Sequence, residues 1–166
     1  MNKTPNKLFL FDCDQTLWLT NKSEYVSRVA SDFYLKQGIL IRKADGVAFN
    51  PKKGIEKIFK SINANGGSVG VVSDNLPEVV VSILKLLGWW KYIDNEAFNV
   101  RLWVGPCPKE ILVQEIISKS KFRNLNKKDV YWFDDRDYSK VAKKIGVNFI
   151  RSTFLTLAYF KLQELS

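Results

Sequence analysis

Residues 8–16 read LFLFDCDQT, and this stretch decides the fold. Leu8–Phe11 is an apolar run without alternation, the pattern of a strand covered on both faces. Two carboxylates, Asp12 and Asp14, follow at once, and Thr16 comes two residues later. Acids at i and i+2 beyond a strand end can converge past the carboxyl edge of a parallel sheet, where open α/β folds bind ligands. Taken alone, the pattern also fits an Asp-rich turn that caps the next segment.

Working outward, three more apolar runs read as buried strands: Val69–Val72, Val130–Phe133 and Val147–Ile150. A fifth candidate alternates, with Phe98, Val100, Leu102 and Val104 on one face. Helical periodicity fills the intervals. Asn50-Pro51 opens a helix carrying Ile55, Ile58, Phe59 and Ile62, and Gly66-Gly67 closes it. Pro77 opens a second helix with Val80, Ile83, Leu84 and Leu87 inward and Gly88 as its stop. Pro108 opens a third, with Val113, Ile116 and Ile117. Residues 138–145 form a fourth, ended by Gly146, and Thr153 caps a last one carrying Leu157 and Leu162. Strands alternating with helices predict a parallel sheet with right-handed crossovers. The interval 18–49 breaks the rhythm. Residues 24–36 read as helical, and Ile39–Arg42 pairs with Val47–Phe49 across Ala44-Asp45-Gly46 as a hairpin. This short insertion predicts a small flap.

The chemistry gathers at predicted strand ends. Asp134-Asp135 follows the strand VYWF; adjacent acids there are costly to bring together without a cation, although a helix N-terminus also favours them. Ser73 ends the run SVGVV, and Lys109 opens the helix after Pro108. A hydroxyl and an ammonium at one sheet edge suit phosphate oxygens; each alone is more often an ordinary cap or a surface lysine.

The order of these groups carries the reading. Asp12, Asp14 and Thr16, then Ser73, then Lys109, then Asp134-Asp135, resembles the four motifs of the haloacid-dehalogenase superfamily of phosphohydrolases, in residue type, order and strand-end placement. The resemblance runs from Phe9 to Ile150. Thr16-Leu17-Trp18, the residue larger than glycine at Gln15 and the FDD at 133–135 are similar to the magnesium-dependent phosphatase-1 family, from which VVSDN at 71–75 departs. The resemblance implies a Rossmannoid three-layer α/β sandwich: a five-stranded, mostly parallel sheet with helices on both faces and a small flap in place of a large cap domain. It implies one domain over 1–166 and a phosphomonoester hydrolase with Mg2+ as cofactor. Asp12 would be the nucleophile and a metal ligand. Asp14 would be the general acid–base, its backbone carbonyl touching the metal. Asp135 would supply the direct metal carboxylate, with Asp134 orienting water or Lys109. Ser73, Asp74 and Lys109 would bind the phosphate, and Thr16 would brace the turn. Cys13 is expected to point away and pack.

Composition sets the outer bounds. The 166 residues are 46% hydrophobic and 26% charged, which fits a globular chain and argues against general disorder. There is no histidine, so imidazole acid–base chemistry and His-ligated zinc are excluded. Two cysteines make no disulfide framework. No apolar run approaches the roughly 20 residues of a membrane span, so the expectation is a cytoplasmic protein without a membrane partner. The net charge of +9 reads first as a solvated basic surface, with nucleic acid a less favoured partner. The expected partner is a phosphorylated small molecule or phosphoprotein. Two rival readings remain: a polynucleotide end-phosphatase, whose last motif Asp134-Asp135-Arg136 resembles, and a non-catalytic phosphate-binding module. Of the five tryptophans, most are expected in the core, with Trp18 near the site and an exposed Trp89 or Trp90 as the mark of a partner surface.

Overall fold

Leu8–Phe11 is the central strand, β1, and all four of its residues are buried. The structure, a computed structural model, describes residues 5–20, 32–103 and 108–152. The chain continues through β2 (Trp18–Thr20), β3 (Phe33–Lys36), β4 (Ile39–Arg42) and β5 (Ala48–Pro51). Then come α1 (Ile55–Ala64), β6 (Ser68–Ser73), α2 (Pro77–Leu86), β7 (Ile93–Val100) and α3 (Lys109–Ser118). Strand β8 (Val130–Asp134), helix α4 (Ser139–Ile145) and strand β9 (Asn148–Arg151) close the described chain.

Five strands form one sheet in the order β7-β6-β1-β8-β9, and every pairing in it is parallel. Because side chains alternate across a strand, β1 feeds two cores. Phe9 and Phe11 face the side of α1 and α2, together with Val69, Val71 and Phe133. Leu8 and Leu10 face α3 and α4, together with Val72 and Trp132. The expected three layers are therefore present. Each fully buried large apolar side chain contributes about 1.5–3 kcal/mol, so this double-sided burial fixes the register of the edge that carries the acids. Gly70 lets β6 and β7 approach: a Cβ there would stand 2.6 Å from the Ala97 Cβ and carbonyl oxygen.

The insertion between β1 and α1 is a separate antiparallel sheet in the order β2-β5-β4-β3. The anticipated hairpin is there, with Leu40 opposite Phe49 and Ile41 opposite Ala48. The helix expected over 24–36 is corrected at its end, because Phe33–Lys36 is strand β3, paired antiparallel with β4. The reason is a two-residue turn: Gln37 and Gly38 both have positive φ (51° and 80°), the geometry of a tight hairpin. Residues 24–31 of that expectation lie outside the described residues.

Three other boundaries move. Asn50-Pro51 finishes β5 rather than opening a helix, and α1 starts at Ile55, after Gly54 in the left-handed region. The edge strand β7 begins earlier than expected and ends at Val100, so Leu102 lies beyond it, 45% exposed. Val104, Cys107 and the last helix expected from Thr153, with Leu157 and Leu162, lie outside the described residues. Trp89 is buried edge-on against Phe59 and Trp90 packs on Phe98, as the packing reading of these tryptophans expects. Among the described residues, no helix is long and apolar enough to cross a membrane.

Candidate active site

Asp12 is the first residue past β1, and its amide donates to the Phe133 carbonyl at 2.9 Å, which ties the two acid-bearing strand ends together. Its side chain is buried. The Lys109 ammonium, from the first turn of α3, donates to Asp12 Oδ1 and to Asp134 Oδ2, both at 2.7 Å. Lys109 is only 5% exposed, so this is a buried ionic cluster and not a surface pair. The Tyr138 ring lies 5.7 Å from the Lys109 Nζ and stacks on Trp132, walling the lysine on one side. Asp134 Oδ1 also accepts from the Arg136 amide at 3.0 Å.

Carboxylate oxygens of Asp12, Asp134 and Asp135 all lie within 4.8 Å of one another. One ammonium thus faces three acids. Burial pushes Asp12 upward, only partly opposed by Lys109. Burial and the Asp12 charge push Asp134 up to about 7, again against Lys109. Burial alone would lower Lys109, but Asp12 and Asp134 override it and hold the lysine raised and charged. A single cation shared by two buried carboxylates leaves a negative surplus, and half-buried Asp135 adds to it. Such a set of hard oxygen donors fits a magnesium ion, which typically takes one or two carboxylates plus substrate oxygens.

The Asp14 carboxylate lies outside this trio. Trp18 Nε1 donates to its Oδ1 at 2.9 Å and Asn75 Nδ2 to its Oδ2 at 3.1 Å. The loop that separates the two acids is tight: the amides of Thr16, Leu17 and Trp18 all point to the Cys13 carbonyl. Gln15 sits in the left-handed region at φ 61°. Its amide donates to the Trp18 carbonyl and its side chain to Thr20 Oγ1, which holds a conformation costing about 1–2 kcal/mol for a non-glycine residue. Thr16 is fully buried and donates to Ser152 Oγ at 3.0 Å, bracing the loop against the end of β9.

The remaining expected residues are dispersed around this centre. Ser73 ends β6 beside β1, almost fully buried, with its hydroxyl next to the Cys13 thiol. Burial pushes that thiol well up, so Cys13 packs as a neutral side chain. Asp74 Oδ1 accepts from the Trp103 amide at 2.9 Å and so holds the segment that follows β7. Asn75, Tyr138, Ser152 and Lys52 escape the sequence reading. Asn75 had a signal, since it stands at a strand end like the other site residues; it is fully buried and also accepts the Leu76 amide. Lys52 had none, because its place depends on the path of the flap.

No family model and no curated protein matches the sequence. Solved structures do match. A chain of the Pnkp1/Rnl/Hen1 complex is 16% identical, with a TM-score of 0.56 over 90% of this chain and 47% of that one. An uncharacterized protein from Listeria monocytogenes serotype 4b is 12% identical, with a TM-score of 0.55 over 87% of this chain and 77% of its own. An L-2-haloacid dehalogenase from Xanthobacter autotrophicus is 15% identical, with a TM-score of 0.45 over 62% of this chain and 40% of that one. The chain therefore spans less than half the length of two of these three. At such identities the likeness is one of fold: a three-layer α/β sandwich, here with its acids at the carboxyl edge of the parallel sheet.

Proposed function

We propose that this chain is a magnesium-dependent phosphatase that hydrolyses phosphomonoesters through a phospho-aspartyl intermediate on Asp12. The observation that carries the proposal is the separation of two carboxylate environments. Asp12 lies buried on Lys109 within a trio of acids, while Asp14 is held apart by Trp18 and Asn75. On this reading one acid attacks and the other moves protons.

In the first displacement, an Asp12 carboxylate oxygen forms a bond to phosphorus as the ester oxygen leaves. The departing alkoxide takes a proton from Asp14. In the second, Asp14 takes a proton from water, whose oxygen bonds to phosphorus as the acyl-phosphate bond breaks and Asp12 is regenerated. Lys109 offsets repulsion between the phosphoryl group and Asp12, and Asp134 holds Lys109 in place. Ser73, at the end of β6 beside β1, would turn its hydroxyl to a phosphoryl oxygen. Magnesium, held by Asp12, Asp135 and the Asp14 carbonyl, would neutralise phosphoryl charge.

The test is hydrolysis of an aryl phosphate by the purified chain with magnesium and with excess chelator. Turnover that requires the metal supports the reading. Full activity in chelator removes the metal role, and inactivity with every divalent ion favours a phosphate-binding module.

A second substrate class is favoured by charge. Arg136 and Arg151 are exposed just past or at the carboxyl ends of β8 and β9, and Arg101, just past β7, is exposed and paired with Glu115. A polynucleotide end phosphate would suit that rim, and its binding would weaken steeply with added salt.

A further inference from the structure

We propose that Lys52 is a second cationic contact for the substrate phosphoryl group, entering the site from the end of β5 while Lys109 enters from α3. The inference rests on the phosphatase reading and adds to it a residue that the motif resemblance does not assign.

The backbone of Lys52 is fixed to the loop that carries the acids. Its amide donates to the Leu17 carbonyl at 2.9 Å, and the preceding Pro51 pairs with Trp18. Leu17 and Trp18 are in turn bonded to the Cys13 carbonyl, between Asp12 and Asp14. The base of the side chain is thus positioned by the flap strand and the acidic loop together.

Burial lowers the pKa of the half-buried Lys52 ammonium, and the charges of Asp135 and Asp12 only partly oppose it, so the side chain lies within the field of the acidic centre. Yet among the described residues no carboxylate lies within ion-pairing distance of Lys52; the pairs of Asp12 and Asp134 go to Lys109. A half-buried cation that feels the charge of these acids without pairing with them is available to an anion that approaches Asp12. A phosphoryl dianion there would bring its own oxygens to the ammonium. Lys53, the next residue, is exposed and offers a control of equal charge.

The experiment compares the parent chain with Lys52→Met, Lys52→Arg and Lys53→Met. Calorimetric binding of inorganic phosphate with magnesium is measured beside aryl phosphate kinetics. Lys52→Met should weaken phosphate binding and raise KM by about ten- to a hundredfold, the range of a lost charge-assisted contact, with a smaller change in kcat. Lys52→Arg should recover most of the loss, and Lys53→Met should match the parent. Lys52→Gln repeats the test should the methionine variant not fold. Parental phosphate affinity in a folded Lys52→Met or Lys52→Gln chain, or an equal loss in Lys53→Met, would overturn the assignment. A parent that binds phosphate through Lys52 without turnover would instead refute the phosphatase reading and leave this contact standing.

Discussion

Replacing Lys109 by Met tests whether the buried ion cluster organises the site. Its ammonium makes two 2.7 Å charge-assisted bonds, to Asp12 and Asp134, in a side chain only 5% exposed. Methionine keeps much of the volume and removes the charge, so both carboxylates lose their shared cation. Removing one partner of a buried pair costs about 3–5 kcal/mol, which in a chain of this size lowers Tm by about 6–20 °C. The loss should depend on pH. Without Lys109 both acids bind protons more readily, and once protonated they no longer repel each other. The destabilisation should be large at pH 7.5 and shrink toward pH 5. Magnesium should raise the Tm of Lys109→Met more than that of the parent, since it would replace the missing charge. Adding Asp134→Asn to Lys109→Met should recover part of the stability instead of compounding the loss. Thermal and urea unfolding of the parent, the two single variants Lys109→Met and Asp134→Asn, and their double variant, in chelator and in magnesium, makes the comparison. A Lys109→Met chain within about 1 kcal/mol of the parent at both pH values, below the range for such a pair, would refute the reasoning.

Other outcomes follow from the same geometry. Asn75→Ala should destabilise by about 1–3 kcal/mol, because Asp14 and the part-buried Leu76 amide lose a partner, and should slow alkyl phosphates more than aryl phosphates in steady-state assays. Asp134, raised from 3.8 to about 7, binds a proton in the folded chain that the unfolded chain releases near pH 4. Its contribution to stability is therefore present at low pH and lost as pH rises through about 7. Metal-free unfolding of the parent relative to Asp134→Asn should show that fall between pH 4.5 and 7.5. Gln15→Gly should change stability by less than about 1 kcal/mol, since relief of the left-handed strain offsets the greater freedom of the unfolded chain; a clear loss would show that the Gln15–Thr20 bond matters more than the backbone.

The parts of the fold legible in the sequence are those where burial dictates residue type. Leu8–Phe11 and Val130–Phe133 read as strands because both faces are covered, and Ile55, Ile58, Phe59 and Ile62 read as a helix because one face is. The flap was half legible. Its Ala44-Asp45-Gly46 turn carried a familiar signal, whereas Gln37-Gly38 makes a tight turn with a residue that seldom takes positive φ. With that turn unread, Phe33–Lys36 looked helical. At the site, the acids were visible because each follows a strand. Their division of labour was not, since it depends on Trp18 and Asn75 holding Asp14 away from Lys109. Lys52 was invisible for a similar reason: its neighbours come from across the flap.

The central claim is that Asp12 carries the phosphoryl group while Asp14 moves protons. Asp14→Asn leaves the nucleophile and the Lys109 cluster intact and removes the group that activates water. With an aryl phosphate, whose leaving group needs little protonation, the first displacement should proceed and the second should stall. Rapid quench should then show a burst of aryl alcohol approaching one equivalent per chain. Mass spectrometry of the intact chain should find one added phosphate, mapped to Asp12 by peptide analysis. Phosphate on any other residue, or turnover by an Asp12→Asn chain, would contradict the account.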